Sequence, residues 1–431
     1  MPETTTEDLL ADVAGAVAVG QTFEGRPGIR VTPVHPEQEE QVAQICQLAQ
    51  THHWNVVPVG GGGWWRGIGS KTDSPVTVTL HTDRLSRITE YSPGDMIVSV
   101  QSGMPLAQLQ EELQPYQQML ALDPACRPDS TLGGLVAQAA YGPSRVEYGT
   151  LRDMVTGLRV VLASGDVIKV GSKVVKNVAG YDLPKLFIGS RGSLGIITEC
   201  TFKLKPIPRH RELYQVTGSA EDIARVHSEI MAAALTVSAL EMVEPGGGHG
   251  GGDSDRWTLL VGCDDNAGAA NSQVQRLQQM CGAVPMEILQ NSEVAEFWSD
   301  YRQNLAGAST VIRVQSVPNQ MVALAHRLRT ALQAAGLDAR YSFTLSDGIG
   351  KIYSGEQDFE RVRLLVETLA RESDPWVTAR EIEQLPREMP WDAPTAKSRR
   401  VHAGETLLME RIKEVYDPQG IFNPGIYARG M

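Results

Sequence analysis

A run of glycines is the feature of this sequence that most directly suggests chemistry. The four residues directly follow the apolar segment NVVPV and are Gly60, Gly61, Gly62 and Gly63. Consecutive glycines permit positive φ and expose backbone N–H groups, which can cradle a pyrophosphate. The run is neither a GxxxxGK[ST] motif nor a GxGxxG motif that opens a clear helix, which disfavours the folds that those motifs mark. By itself, the run fits a flexible surface turn equally well.

Two further glycine clusters favour a binding function. The second, at the start of a predicted helix of small residues, consists of Thr131, Leu132, Gly133 and Gly134. The free N–H groups and dipole of that helix would favour an anion. The third cluster leads into a predicted strand and consists of Gly189, Gly192 and Gly195. Three glycine-rich joints at the ends of apolar elements indicate one extended ligand, and a dinucleotide fits this better than a small metabolite.

Alternating helices and strands are predicted to position these clusters. PEQEEQVAQICQLAQTHHW has the spacing of an amphipathic helix, and it leads into NVVPV as a strand. PVTVTL, MIVSVQSG and GLRVVLASGDVIKVG predict further strands. In GIITECTFKLKP, apolar residues such as Ile196 and Phe202 alternate with polar ones such as Glu199 and Lys203. This alternation predicts a strand with one buried face.

The order of predicted helices and strands changes after KLKPIPRHRELY, where two prolines and several basic residues indicate a domain boundary. Repeated β-α-β units follow, and they predict an antiparallel sheet with helices on one face in the ferredoxin-like manner. The segment ETLLMERIKEVY predicts an amphipathic helix that ends at Asp417 and Pro418. The apolar tail after it is expected to dock on another part of the chain.

Composition excludes several classes of protein. The chain has 431 residues, of which 42% are hydrophobic and 21% charged, so a two-domain globular protein is expected. A formal net charge of -12 argues against a nucleic-acid binder. The five cysteines form no CxxC pair and have no iron–sulfur spacing. The N-terminus has acids where a signal peptide needs basic residues, and no run of about 20 apolar residues occurs, so we expect a cytoplasmic protein.

The motifs together resemble the flavin-binding domain of the vanillyl-alcohol-oxidase (PCMH-type) family. They are the glycine run, STLGGLVAQAAYGP, YGTLRDMVTGLRVVLASGDVIKVG, KNVAGYDLPKLFIGSRGSLGIITE and DPQGIFNPG. The form VVKNVAGYDLPKL is most similar to the FAD-binding subunits of bacterial glycolate oxidases. The resemblance implies an α+β fold with a two-subdomain FAD-binding domain, a ferredoxin-like cap domain and a tail that returns to the FAD domain. The expected segments are residues 1–25, 26–208, 209–400 and 401–431.

The resemblance also implies a set of cofactor-binding residues. They are Pro58, Val59, Gly60, Gly61, Gly62, Gly63, Trp64, Pro124, Thr131, Leu132, Gly133, Gly134, Gly142, Tyr148, Gly149, Asp153, Gly192, Gly195, Ile196, Ile197 and Asn423. The glycine run and the second cluster would surround the FAD pyrophosphate. Asp153 could instead only cap a turn, and Ile196 and Ile197 could be core residues. Relatives with covalent FAD have a histidine where this chain has Trp64, so non-covalent FAD is expected.

Catalytic and metal residues are not assigned. Catalytic relatives carry a GDGN-x-H-like and a GEHG-like stretch that bind a metal, whereas this chain has SDGIGKIYSG and VHAGETLLMERI. His402 and Glu405 would make half of a metal site, but half a site more often marks the start of a surface helix. The other catalytic candidates could equally make structural hydrogen bonds. They are Arg66, Lys176 and Tyr181.

Three functions follow from the resemblance. The first is an FAD-binding subunit that works with a homologous catalytic flavoprotein and an iron–sulfur subunit to oxidise glycolate or D-lactate, with peripheral membrane association through those partners. The second is a stand-alone FAD-dependent 2-hydroxy-acid dehydrogenase, and the third is a non-catalytic flavin-binding scaffold or relay. A β-branched residue in place of Gly133 is expected to release FAD while leaving much of the fold intact.

Overall fold

The computed structural model describes nine segments of the chain, and every statement below concerns them. They are residues 18–26, 29–62, 74–171, 182–233, 235–245, 255–265, 267–371, 379–384 and 403–424. The strands are β1 (Ala18–Val19), β2 (Phe23–Arg26), β3 (Ile29–His35), β4 (Asn55–Val59), β5 (Val76–His81), β6 (Ile88–Ser92), β7 (Ile97–Gln101), β8 (Gln118–Met119), β9 (Val155–Val161), β10 (Val167–Gly171), β11 (Ile196–Lys203), β12 (Lys205–Pro206), β13 (His210–Ser219), β14 (Ala239–Val243), β15 (Arg256–Asp265), β16 (Met286–Gln290), β17 (Thr310–Gln315), β18 (Arg340–Thr344), β19 (Ile349–Ser354) and β20 (Ala379–Gln384). The α-helices are α1 (Glu39–His52), α2 (Leu106–Leu113), α3 (Leu132–Gln138), α4 (Arg145–Tyr148), α5 (Leu151–Met154), α6 (Pro184–Phe187), α7 (Ala220–Ala232), α8 (Ala267–Cys281), α9 (Ser292–Ala306), α10 (Met321–Ala334), α11 (Phe359–Arg371) and α12 (Ala403–Tyr416).

Two sheets form the first half of the fold. In the first sheet, β5 lies between β3 and β4 and is parallel to both, while β1 and β2 pair with β3 in antiparallel fashion. The second sheet is antiparallel, in the order β10-β9-β11-β7-β6. Helix α1 buries Val42 and Ile45 in a core that also contains Ile196 of the second sheet. Residues of the two sheets therefore share one core.

Strand β11 is buried on both faces, although its alternation predicts one buried face. Ile196 packs with the first sheet, whereas Ile197 packs in a second core with residues of α3. Thr201 is buried as well, because its hydroxyl pairs with that of Ser99 at 2.8 Å. A polar side chain of β11 can therefore be buried when its hydrogen bond is made inside the fold. The sequence alone does not show that such a polar residue is buried.

The second half is one eight-stranded antiparallel sheet, in the order β16-β13-β15-β14-β18-β19-β17-β20. Helices α7, α8, α10 and α11 cover one face over a large core around Trp257. Helix α9 packs in a separate core, contrary to the prediction that the helices lie on one face of the sheet. Its Tyr301 and Leu305 contact Leu213 and Tyr353 there. An amphipathic pattern identifies the apolar stripe of a helix but does not indicate which face of a sheet receives it.

The C-terminal tail lies on the first sheet. After α12, Phe422 forms a β-bridge with Val56 of β4. The Val56 N–H donates to the Ile421 carbonyl at 2.8 Å, and the Asn423 N–H donates to the Val56 carbonyl at 3.0 Å. Ile421 and Phe422 are buried in the core beneath α1. The chain thus leaves the eight-stranded sheet and ends its described part beside β4.

Candidate functional site

The three glycine clusters meet around one cavity. It lies where β4 ends, against the start of α3 and the turn that precedes β11. The predicted cofactor-binding residues that line it are Pro58, Val59, Gly60, Gly61, Gly62, Thr131, Gly133, Gly134, Gly192, Gly195, Ile196, Ile197 and Asn423. Segments that are distant in sequence therefore converge on one space, as the glycine clusters predict for one extended ligand.

Close packing of two loops explains why the first two residues of the run are glycines. A Cβ on Gly60 would lie 2.1 Å from Thr131 Oγ1, and a Cβ on Gly61 would lie 2.1 Å from the Asp129 carbonyl oxygen. Neither position can hold a side chain without moving the neighbouring loop. The run therefore brings the end of β4 against the loop before α3, so that both loops line the same wall.

The start of α3 differs from the expectation of free N–H groups. The Leu132 N–H donates to Met104 O at 2.8 Å, and the Gly133 N–H donates to Ser102 O at 2.7 Å. The Gly134 N–H is capped by Thr131 Oγ1 at 3.3 Å. Because these donors already have acceptors, the expectation that they are free for an anion is wrong. The glycines instead allow close packing, since a Cβ on Gly133 would lie 2.5 Å from Ser102 Cβ.

The C-terminal tail completes the cavity at the third cluster. Gly192 has φ of +67°, and a Cβ there would lie 3.0 Å from both Asn423 Nδ2 and Pro58 Cγ. The Asn423 side chain donates through Nδ2 to the Arg191 carbonyl at 2.7 Å. Asn423 is thus held between the turn at Gly192 and the end of β4, and the wall of the cavity depends on the tail.

Ser102 gives the cavity a polar group that lacks an intramolecular partner. It lines the cavity directly after β7, and its Oγ is buried with no hydrogen-bond partner in the described part of the chain. A buried hydroxyl normally has a partner, so an unsatisfied one facing a cavity fits a ligand with polar groups. Together with the backbone-lined walls, Ser102 makes the cavity suitable for a dinucleotide.

A charged cluster closes the cavity on the side of the eight-stranded sheet. Glu383 of β20 lines the cavity, and its carboxylate lies 3.0 Å from Lys351 Nζ and 3.6 Å from Arg313 Nε. Burial alone would raise the pKa of Glu383, but the charges of Lys351 and Arg313 hold that pKa below its usual value. The carboxylate is therefore ionised near neutrality and bound between two cations.

Several predicted binding residues lie outside this cavity. Pro124 and Tyr148 line a larger cleft of about 1050 Å³ between the two halves of the fold. Gly142 lines a small cavity at the same interface. Leu132 is fully buried in the core beneath α3. Their predicted contacts with the flavin remain predictions.

Asp153 and Gly149 form a local turn. The Asp153 carboxylate accepts the Thr150 N–H at 2.8 Å and the Thr150 hydroxyl at 3.0 Å, and the reciprocal contact completes a capping box at α5. Gly149 has φ of +81°, and a Cβ there would lie 2.7 Å from the Asp153 carboxylate. These contacts correspond to the alternative in which Asp153 only caps a turn.

Some candidates lie outside the described residues. They are Gly63, Trp64, Arg66, Lys176, Tyr181 and His402. The cavity in turn has lining residues that the sequence analysis did not single out. They are Val57, Thr82, Ser102, Ser130, Leu135, Ala137, Gln138, Arg191 and Glu383. Arg191 could have been found from its position beside Gly192, whereas Glu383 lies on a distant strand and carries no local signal.

Comparison with known proteins finds two FAD-related family models in this chain. Residues 33–171 match the family model described as "FAD binding domain", and residues 398–427 match the model described as "FAD linked oxidases, C-terminal domain". Both matches agree with the resemblance of the chain to the PCMH-type FAD-binding family. FAD is therefore its cofactor, and the cavity is called the FAD cavity below. That the individual lining residues contact FAD is part of the proposal that follows.

Relatives of the chain include proteins named as oxidases and dehydrogenases. It is 36% identical to the mitochondrial D-lactate dehydrogenase [cytochrome] of Arabidopsis thaliana over 49% of this chain and 37% of that protein. It is 31% identical to the glycolate oxidase subunit GlcE of Escherichia coli over 53% of this chain and 59% of that subunit. The glycolate oxidase subunit GlcD of Bacillus subtilis is 26% identical over 72% of this chain and 70% of the subunit. The matches thus span less than two thirds of the first two relatives.

Solved structures support the fold assignment. An alkyldihydroxyacetonephosphate synthase superposes with a TM-score of 0.70 at 17% identity, covering 91% of this chain and 77% of that one. A chitooligosaccharide oxidase superposes with a TM-score of 0.68 at 14% identity, covering 96% and 97%. At these identities the likeness concerns the fold alone.

Neither a membrane-spanning helix nor a cluster of metal ligands occurs in the described segments. No helix among them is both long and apolar enough to cross a lipid bilayer. Within the same segments, no group of three or more histidine, cysteine, aspartate or glutamate side chains is arranged to bind a metal ion.

Proposed function

We propose that this flavoprotein is the FAD-binding subunit of a hetero-oligomeric glycolate oxidase complex, which oxidises glycolate or D-lactate to the 2-oxo acid. Its partners would be a homologous catalytic flavoprotein and an iron–sulfur subunit that takes the electrons. The observation that carries the proposal is the charged cluster beside the FAD cavity, in which Lys351 and Arg313 pair with Glu383, a residue that lines the cavity. Two cations against one acid leave a net positive charge beside the space where a carboxylate substrate would bind.

The chemistry of the proposed reaction fits these residues. Bound FAD supplies the acceptor for the hydride that leaves the carbinol carbon of the acid. Arg313 offers a planar fork of donors, the geometry that recognises a carboxylate. Lys351 is 8% exposed, so its charge acts in a poorly solvated environment where attraction of an anion is strong. The chain would thus orient the substrate beside the cofactor.

Asp347 supports the subunit role over that of a metal-bearing catalytic relative. It lies in SDGIG, where the resemblance puts the metal-binding stretch of catalytic relatives. Its carboxylate lies 2.7 Å from Arg145 Nε, so it serves a salt bridge across the domain interface. The similarity to proteins named as glycolate oxidase subunits points the same way. We propose a cytoplasmic location, with contact to the membrane only through partner subunits.

A stand-alone 2-hydroxy-acid dehydrogenase is the second candidate. The similarity to relatives named D-lactate dehydrogenase and D-2-hydroxyglutarate dehydrogenase favours it. The cavity and its cations would serve this function equally well, because both functions require FAD and a bound carboxylate. The two candidates differ in whether the isolated chain completes turnover.

The deciding experiment uses the purified full-length chain. Its absorbance spectrum reports bound flavin, and anaerobic reduction by glycolate and by D-lactate reports the half-reaction. Turnover with an artificial electron-accepting dye only after the partner subunits are added would support the subunit role. Dye turnover by the isolated chain would support the stand-alone enzyme. A flavin-loaded chain and complex that neither acid reduces would leave the scaffold or relay role.

A further inference from the structure

A small buried cavity behind the charged cluster contains groups that the proposed function does not use. It has a volume of about 20 Å³ and lies between the two halves of the fold. Its polar lining consists of Tyr141, Glu241, Tyr301, Ser342, Thr344, Lys351 and Tyr353. A space of about 10–15 Å³ is enough for one water molecule, provided that polar partners surround it. The cavity meets both conditions.

Glu241 is the acid of this cavity. It is 1% exposed and lies on β14 opposite Thr344 of β18. One carboxylate oxygen accepts the Ser342 hydroxyl at 2.8 Å, and the other accepts the Thr344 hydroxyl. Tyr301 continues the chain, because its hydroxyl donates to Ser342 Oγ at 2.7 Å. The hydroxyl groups of Ser342 and Thr344 both donate to the carboxylate, so these two hydrogen bonds favour its ionised form.

Tyr141 indicates that the cavity holds a further polar partner. Its hydroxyl is buried and has no hydrogen-bond partner within the described segments, although its ring contacts two cations. Lys351 Nζ lies 4.0 Å from the ring centroid and Arg145 Cζ lies 4.5 Å from it. A buried hydroxyl without a partner costs free energy. One water molecule in the cavity would remove that cost.

Lys351 connects this cavity to the FAD cavity. It lines the small cavity and also contacts Glu383, which lines the FAD cavity. A proton can therefore pass between the two spaces through Glu383 and Lys351 together. The other charged groups around Glu241 are Asp123 and Asp347, whose charges disfavour its ionised form. Burial also raises the pKa of the three tyrosines Tyr141, Tyr301 and Tyr353, so they stay protonated near neutrality.

We infer that the small cavity holds one ordered water molecule and that Glu241 accepts, through this water and Lys351, the proton released by the substrate hydroxyl. The inference rests on the proposed function. Bound FAD would take the hydride from the C–H bond of the acid. The O–H bond breaks as the Glu383 carboxylate takes its proton, while Lys351 passes a proton through the water to Glu241 and is reprotonated by Glu383. One carbonyl and one Glu241 O–H bond form, so atoms and electrons balance. Glu241 is thus a positioning residue that acts through Lys351.

Glu241→Gln tests this inference, with Glu244→Gln as the matched control. Glu244 is the next acid along the chain and is half-buried. Its pKa is also raised to about 7, but it lies near Arg329 and does not line the cavity. Two readouts are needed. The first is infrared titration of the FAD-loaded chain between pH 5 and pH 9, and the second is the pH profile of anaerobic flavin reduction by whichever acid reduces the wild type.

We expect two protonated-carboxyl infrared contributions that titrate near neutrality, one lost in Glu241→Gln and the other lost in Glu244→Gln. Flavin reduction by the wild type and by Glu244→Gln should accelerate as pH rises through neutrality, whereas Glu241→Gln should be slower by on the order of 100-fold and lose this acceleration. A wild-type rate and profile in Glu241→Gln would overturn the inference, as would an infrared spectrum in which Glu241 is ionised throughout. A wild type that no 2-hydroxy acid reduces would instead overturn the proposed function.

Discussion

Lys413 and Asp417 form a buried ion pair that fastens the C-terminal tail to the domain that contains the FAD cavity. Lys413 Nζ donates to the Asp417 carboxylate, to the Ser193 carbonyl at 2.7 Å and to the Phe422 carbonyl at 3.0 Å. The fully buried Asp417 side chain also accepts the N–H groups of Ile421 at 3.0 Å and Phe422 at 2.8 Å. The pair thus fixes the tail immediately before Asn423, which lines the cavity.

Asp417→Ala should therefore destabilise the protein and weaken FAD binding together. The substitution leaves the Lys413 ammonium without its counter-ion and two N–H groups without an acceptor, so the free energy of unfolding should fall by about 3 kcal/mol. FAD affinity should fall by roughly tenfold, or about 1.4 kcal/mol, because Asn423 loses its support. Urea unfolding and FAD titration measure the two effects.

Asp182→Ala is the control, because it removes an exposed ion pair with Lys185. This substitution should lower the free energy of unfolding by less than about 1 kcal/mol. Equal effects of the two variants would show that the buried pair does not hold the tail.

A side chain at Gly134 should weaken ligand binding without destabilising the fold, whereas a side chain at Gly133 should destabilise the fold. A Cβ on Gly133 would lie 2.5 Å from Ser102 Cβ, so Gly133→Ala should lower the free energy of unfolding by about 1–3 kcal/mol. This differs from the expectation that substitution there leaves the fold intact. A Cβ on Gly134 meets only Thr131 Oγ1, at 3.2 Å, and otherwise enters the cavity.

Gly134→Ala should consequently retain the stability of the FAD-free protein but bind FAD more weakly, because the added methyl group occupies space that the proposed site gives to the cofactor. Unfolding of the FAD-free chain and titration with FAD provide the two measurements, and Gly133→Ala serves as the comparison. Wild-type FAD affinity in Gly134→Ala would place the cofactor elsewhere in the cavity.

The glycine-lined part of the cavity was largely predictable from the sequence, because its residues lie in short glycine-rich segments. Gly60, Thr131 and Gly192 are each required by a local turn or close contact, and such requirements leave a local pattern. The charged cluster was not predictable. Glu383 lies on an edge strand of the eight-stranded sheet and reaches the cavity only because the two halves of the fold pack together.

The same distinction applies to the fold. Sequence periodicity indicated an antiparallel sheet with helices, but the position of α9 on its second face depends on Tyr301 and Leu305 finding partners from other strands. The Glu241 cluster likewise joins β14 to β18, about 100 residues further along the chain, where Ser342 and Thr344 donate to its carboxylate. Contacts of this kind produce no periodic pattern in the sequence, because each partner by itself is an ordinary strand residue.

Arg313 should contribute to recognition of a carboxylate substrate if the proposed function holds. Arg313→Met removes the guanidinium beside Glu383, and kcat/KM for glycolate should fall by roughly 10- to 100-fold, as expected for loss of a charge-assisted hydrogen bond of about 1.5–3 kcal/mol. Oxidation of an uncharged alcohol of similar size, where measurable, should change much less. Arg361→Met is a suitable control, since Arg361 forms an exposed pair with Glu356 away from the cavity. Equal losses for charged and uncharged substrates would contradict a role in carboxylate recognition.

Glu241 should make the stability of the folded protein depend on pH in a defined direction. Burial raises the pKa of Glu241 to about 7, from an ordinary value of 4.5, in spite of the hydrogen bonds from Thr344 and Ser342. Between these two values the folded chain keeps a proton that the unfolded chain has released. The contribution of this group to the free energy of unfolding therefore falls as pH rises from about 4.5 to about 7, and it stays reduced at higher pH.

Glu241→Gln cannot lose that proton, so the variant should gain stability relative to the wild type as pH rises. A pKa difference of this size corresponds to a change of roughly 3 kcal/mol in the relative stability between pH 4.5 and pH 8. Urea unfolding of both proteins at pH 4.5, 6 and 8 measures it, and the other titrating groups cancel because both chains share them. A stability difference that stays constant over this range would mean that Glu241 has the same pKa in the folded and unfolded chains.

Ser342→Ala extends the test, because it removes a hydroxyl that favours the ionised carboxylate. In this variant the free energy of unfolding should continue to fall to a higher pH than in the wild type.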